Sequence, residues 1–112
     1  MNTVPLEQLN FESFAGLVKT KFRVRVDGQD SVELELAEVT PARVSAPGGA
    51  NTAKYEHFSL IFLGPVDRIL QQRIYCFESA SLGRFELFIV PVGRDQNGTW
   101  YQATFNRLVK PA

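Results

Sequence analysis

Between residues 22 and 36 the chain alternates apolar and charged positions with a period of two: Phe22, Val24 and Val26 are separated by Arg23 and Arg25, and Val32, Leu34 and Leu36 by Glu33 and Glu35. A strand sends successive side chains to opposite faces, so this spacing predicts two strands, residues 21–26 and 31–40, each with an apolar and a charged face. Asp27-Gly28-Gln29-Asp30 between them is turn chemistry, which makes the pair a hairpin. Setting Val24 opposite Leu34 places Arg25 against Glu33 and Arg23 against Glu35, whereas a slip of one residue would set arginine against valine. After Leu36 the apolar phase moves to Ala37 and Val39 while Glu38 falls at an inward position, the mark of a β-bulge.

Four further strands follow from the same kind of pattern. Residues 55–63 alternate at first and then become apolar on both faces, which suits a central strand covered on two sides. Gly64-Pro65 stops that run. Residues 73–78 and 84–91 form a hairpin around Ser79-Ala80-Ser81-Leu82-Gly83, and Pro91, which has no N–H to donate, marks the second strand's end or an edge. Asn97-Gly98 is the last turn before the strand at residues 99–106. Thr40-Pro41 ends the second strand, and the segment around Ala46-Pro47-Gly48-Gly49-Ala50-Asn51 reads as a mobile surface loop.

Only one segment changes period. Phe11, Phe14, Leu17 and Val18 share one face of a helix predicted over residues 10–18, with Asn10 as its N-cap. So short a helix needs tertiary packing, which makes it a lid for an open barrel end or sheet face. The fold class is therefore all-β, mainly antiparallel: one domain over residues 1–112, a small six-stranded barrel or sandwich with a short N-terminal helix.

Composition adds bounds. The chain has 112 residues, enough for one core, and nine of its aromatic residues are Phe, which implies an interior built on large flat side chains. Twelve basic and twelve acidic residues cancel, so the molecule projects no net field toward nucleic acid or an anionic membrane, and a nearly neutral domain is inclined to self-associate. The single cysteine, Cys76, cannot close an internal disulfide. The first residues have neither a basic nor an apolar export region, and no stretch stays apolar long enough to span a membrane, so the expected compartment is the cytoplasm.

Candidate chemistry is sparse. His57 is the only histidine, and no Cys/His/Asp cluster stands at metal-ligand spacing around it. Cys76 between Tyr75 and Phe77 reads as a small apolar residue instead of a nucleophile. Glu33 and Glu35 share a face, as paired acid–base carboxylates would, yet an ion-pair ladder with the arginines is the stronger reading. Gly48-Gly49 lacks the lysine of a phosphate loop, and Asn97-Gly98-Thr99 is better read as a turn than as a glycosylation triplet. Arginines interleaved with aromatic residues could form a single-strand nucleic-acid platform, but here glutamates match them.

The segment that suggests a function is the loop Pro65, Val66, Asp67, Arg68, Ile69, Leu70, where apolar residues stand among charges that could grip a partner; the competing reading folds it back on the core. The free edge of a strand would be a second mode of contact.

Phe11-Glu12-Ser13-Phe14 with Phe22-Arg23-Val24, Phe58-Ser59-Leu60-Ile61-Phe62-Leu63-Gly64-Pro65, and residues 82–93 give the chain, over nearly its whole length, a resemblance to an uncharacterised bacterial family of short β domains. The resemblance brings no catalytic residues and no cofactor, and it implies an accessory role beside tail-fibre-like, phage-derived surface proteins. The expected function is a non-enzymatic protein-interaction or assembly domain, with a protein partner or self-association and neither nucleic acid nor membrane. The alternatives are a small-ligand-binding barrel whose mouth carries Tyr55, Tyr75, Trp100 and Tyr101, and an enzyme whose polar residues converge from distant strands.

Overall fold

In a computed structural model of the chain, residues 9, 11–28, 30–40, 43–45 and 54–109 are described. Helix α1 (Phe11–Ala15) is followed by strands β1 (Lys21–Asp27), β2 (Asp30–Val39), β3 (Arg43–Ser45), β4 (Lys54–Gly64), β5 (Arg73–Ser79), β6 (Gly83–Asp95) and β7 (Gly98–Val109). The sheet order is β2-β1-β5-β6-β7-β4-β3, and an additional β2–β4 pairing closes six of the strands into a barrel. All the ladders are antiparallel. Closure leaves a barrel, not a sandwich.

The β1–β2 hairpin keeps the expected faces but not the expected register. Val24 pairs with Val32, Phe22 with Leu34, Arg23 with Glu33 and Lys21 with Glu35. The shift is two residues, which leaves every side chain on its face, so alternation alone does not detect it. The turn decides: Asp27 pairs with Asp30 across a two-residue connection, and an irregularity between Arg25 and Asp27 resets the ladder. The pairs Arg25–Glu33 and Arg23–Glu35 are therefore replaced. Arg25 lies opposite Ser31 on β2 and instead reaches Glu78 on the other side.

The bulge expected near Glu38 is present. Leu36 faces Phe62 and Glu38 faces Ile61, which makes Ala37 the extra residue. Past it, β3 takes over on the same edge of β4, with Arg43 opposite His57. This seventh strand falls where a loop was expected; the segment 46–51 lies outside the described residues. Pro91 does not end its strand: β6 continues to Asp95, with an irregularity between Pro91 and Gly93. Pairing with β5 stops at Ile89, so β6 has a side on which a missing donor costs no ladder bond. On β4, Phe58, Leu60 and Phe62 are buried inward, while Ile61 and Leu63 on the outer face are half-buried.

The helix is shorter than residues 10–18, and Asn10 lies outside the described residues. Leu17 N–H donates to Phe14 O (2.9 Å), Thr20 N–H and Oγ1 both donate to Leu17 O, and Lys19 takes φ 75°. Lys19 N–H then donates to Leu36 O, and Leu36 N–H to Thr20 O. The backbone after Ala15 is thus turned onto β2 before a second helical turn can form, which leaves Val18 exposed.

Phe14 is nevertheless the lid that the apolar face predicts. It is fully buried, with ring centroids 6.2, 5.9 and 5.4 Å from Phe58, Phe85 and Phe105. Below it, Phe58 and Phe105 stack at 4.6 Å, and Phe22 meets Phe62, Phe77 and Phe85 edge-on. These aromatic contacts add to the burial of large apolar surfaces that holds the barrel closed.

Candidate functional site

The end of the barrel opposite α1 is closed by residues 65–72. Leu70 is buried and its N–H donates to the Tyr101 hydroxyl at 2.8 Å. The Tyr75 hydroxyl donates to Gln71 O at 2.8 Å, the Thr99 hydroxyl to Pro65 O at 3.3 Å, and the Arg68 guanidinium forks onto the Asp30 carboxylate. Arg73 lies 4.5 Å over the Tyr75 ring. Four ties from three strands therefore hold this loop down.

Of the six loop residues singled out by sequence, Leu70 is a plug for the interior and Arg68 a tie to β2. Pro65 is half-buried and Asp67 exposed. Val66 and Ile69 remain on the surface, 46% and 52% exposed. Leu70 thus follows the fold-back reading, whereas Val66 and Ile69 stay at the surface.

Of the aromatic residues named for a ligand mouth, the three whose side chains are described do not meet at one. Tyr75 and Tyr101 are buried, with their hydroxyls engaged on the loop backbone. Trp100 turns outward, and its indole N–H donates to Asp95 Oδ2 at 2.8 Å. The side chain of Tyr55 lies outside the described residues. Burial pushes the Tyr101 phenol above its ordinary pKa of 10.0.

The outer wall of β2-β1-β5-β6 carries most of the remaining chemistry. Ladder partners place Glu33, Arg23, Glu78 and Arg84 in one row across four strands. The next row runs Ser31, Arg25, Cys76, Glu86, and the one beyond pairs Ile74 with Phe88. Arg25 Nε and Arg84 Nε both reach Glu78 Oε2, at 3.0 and 2.8 Å. The Arg25 hydrogen bond, reinforced by the charges of Arg25, Arg84 and Arg23, holds the Glu78 carboxyl below its usual range.

A groove of 540 Å³ opens beside this cluster, and a second, of 560 Å³, lies between β2 and the 65–72 loop. Ile74 and Phe88 are 60% and 46% exposed, and Val92, the bulged residue of β6, is 52% exposed. Sequence reasoning missed this face because its partners come from strands far apart in the chain, and because a strand residue's outward turn at Ile74 is indistinguishable from an inward one until the phase is known.

The other candidates are dispersed. His57 stands on β4 between Arg43 and Asn106, and Cys76 is a partly buried free thiol between Arg25 and Glu86. Glu33 faces Arg23 and Glu35 faces Lys21, as members of the outer ladder. Among the described residues no three His, Cys, Asp or Glu side chains are grouped to hold a metal ion, and no helix is long and apolar enough to cross a membrane.

No curated protein and no solved structure matches the chain. A family model described as Domain of unknown function (DUF6916) matches residues 9–105, from the buried Leu9 before α1 to the Phe105 that stacks beneath it, and so covers the barrel and its lid. The chain belongs to this family.

Proposed function

We propose that this domain is a non-enzymatic protein-interaction module, of the kind that joins an assembly such as a tail-like or surface structure, and that it works through the outer face of β5 and β6. The observation that carries the reading is the cross-strand pair Ile74 and Phe88, two large apolar side chains facing solvent on a regular ladder. Exposure of such a pair costs solubility unless something covers it, and aromatic residues are enriched where partners dock. The buried aromatic interior supports the same choice, since among the described residues it fills the barrel with Phe14, Phe22, Phe62, Phe77 and Phe85 while Ile74 and Phe88 face outward.

The test is capture from the native source with wild-type domain and with Ile74→Ser/Phe88→Ser, which removes apolar area from an outward face. A partner retained by wild type and lost by the variant, at unchanged melting temperature, supports the reading. Identical capture by both contradicts it.

A further inference from the structure

The groove beside Glu78 has an excess of positive charge in a molecule that has none overall. Lys21, Arg23, Arg25 and Arg84 line it against only Glu33 and Glu78, whereas the whole chain sums to zero. The arrangement is also specific in its atoms. One oxygen, Glu78 Oε2, takes both Arg25 and Arg84, each through Nε. A guanidinium carries five N–H donors, so engagement through Nε alone leaves most of them for an incoming acceptor.

A single carboxylate thus positions two arginine forks side by side while neutralising one of them. Their side chains remain 44% and 34% exposed. Forks of this shape match two-oxygen anions.

We propose that this groove receives the carboxylates of an acidic segment of the partner protein, with Arg25 and Arg84 as the contact residues and Glu78 as the residue that positions them. The inference rests on the reading of the outer face as a protein-binding surface, and it names the partner's chemistry. Nucleic acid is the other anionic class. It is disfavoured because the local excess is small, so few counterions would be released on binding, and because the same wall continues into apolar Ile74 and Phe88.

Those two lie four residues along their strands from Glu78 and Arg84, roughly 13 Å at strand spacing. An extended segment spanning that distance would carry its acidic residues at one end and an apolar residue at the other. Glu86, in the row between, keeps further acids away from the middle.

The test uses fluorescence anisotropy with a labelled peptide holding a glutamate cluster four residues from a leucine, its glutamine twin, and a single-stranded oligodeoxynucleotide of equal charge. The expected result is saturable binding of the acidic peptide that weakens as salt rises, falls at least about tenfold for the twin, and falls similarly for Arg25→Gln/Arg84→Gln. Arg25→Lys/Arg84→Lys keeps the charge without the fork and is expected to bind several-fold more weakly than wild type.

Equal binding by the lysine variant, equal binding by the twin, or tighter binding of the oligonucleotide would overturn the proposal. So would absence of binding while capture still depends on Ile74 and Phe88, and in that event the interaction reading stands alone.

Discussion

The amide of Leu70 donates to the hydroxyl of Tyr101 at 2.8 Å, with both residues buried. The bond fixes a surface loop to the base of the barrel, and removing the hydroxyl would strand a buried N–H. Tyr101→Phe is expected to lower unfolding free energy by about 1–3 kcal/mol, measured by urea denaturation, with local hydrogen exchange of the Leu70 amide increased.

The same phenol gives a pH dependence. Burial raises its folded pKa above the ordinary 10.0, so the folded state holds the proton more tightly than the unfolded state does. The associated stability is present below pH 10.0 and is lost as pH rises through the higher folded value. Stability measured against alkaline pH should fall less steeply in Tyr101→Phe than in wild type.

Much of the fold was legible in the chain, and the misses have physical causes. Alternation in β1 and β2 identifies which residues face inward, but a two-residue shift preserves every face, so the register of Val24 with Val32 depended on a turn whose length the sequence left open. β3 is three residues long and too short to show a period. Pro91 pointed to a strand end or an edge because its missing donor is visible in sequence, but which of the two applies depends on the side of β6 left unpaired beyond Ile89, which is not. The outer site was the least legible part: Arg25 and Glu78 are 53 residues apart, and only the pairing of β1 with β5 brings them together.

Phe14 is the lid's contribution to stability. Its ring fills the space between Phe58, Phe85 and Phe105, so Phe14→Ala should leave a cavity and cost about 3–5 kcal/mol in chemical denaturation. Val18→Ala, on the exposed turn after the helix, should change stability by less than about 0.5 kcal/mol.

Gly98 begins β7 with φ +146°, and a Cβ added there would stand 2.0 Å from the carbonyl oxygen of Gly64. Both backbone conformation and close approach therefore exclude a side chain. Gly98→Ala is expected to cost more than about 1 kcal/mol; Gly93→Ala, which has open space around it, serves as the control.

Trp100 is the only tryptophan, and its indole N–H binds Asp95, whose carboxyl is held below its ordinary 3.8 by that bond and by the Asn97 amide. The pairing is complete above that pKa and is lost as pH falls through the lowered folded value. Trp100 emission should titrate below pH 3.8, and Asp95→Asn should abolish the titration.

The most direct measurement is hydroxyl-radical footprinting of side chains in the free domain and in complex with the partner recovered by differential capture. Free, the domain should label readily at Ile74, Phe88 and Val92, and weakly at buried Tyr75 and Tyr101. In complex, labelling should fall at Ile74 and Phe88 and stay unchanged at Val18. Undiminished labelling of Ile74 and Phe88, with protection appearing at Val18 or another face, would contradict the assignment of function to the outer wall of β5 and β6.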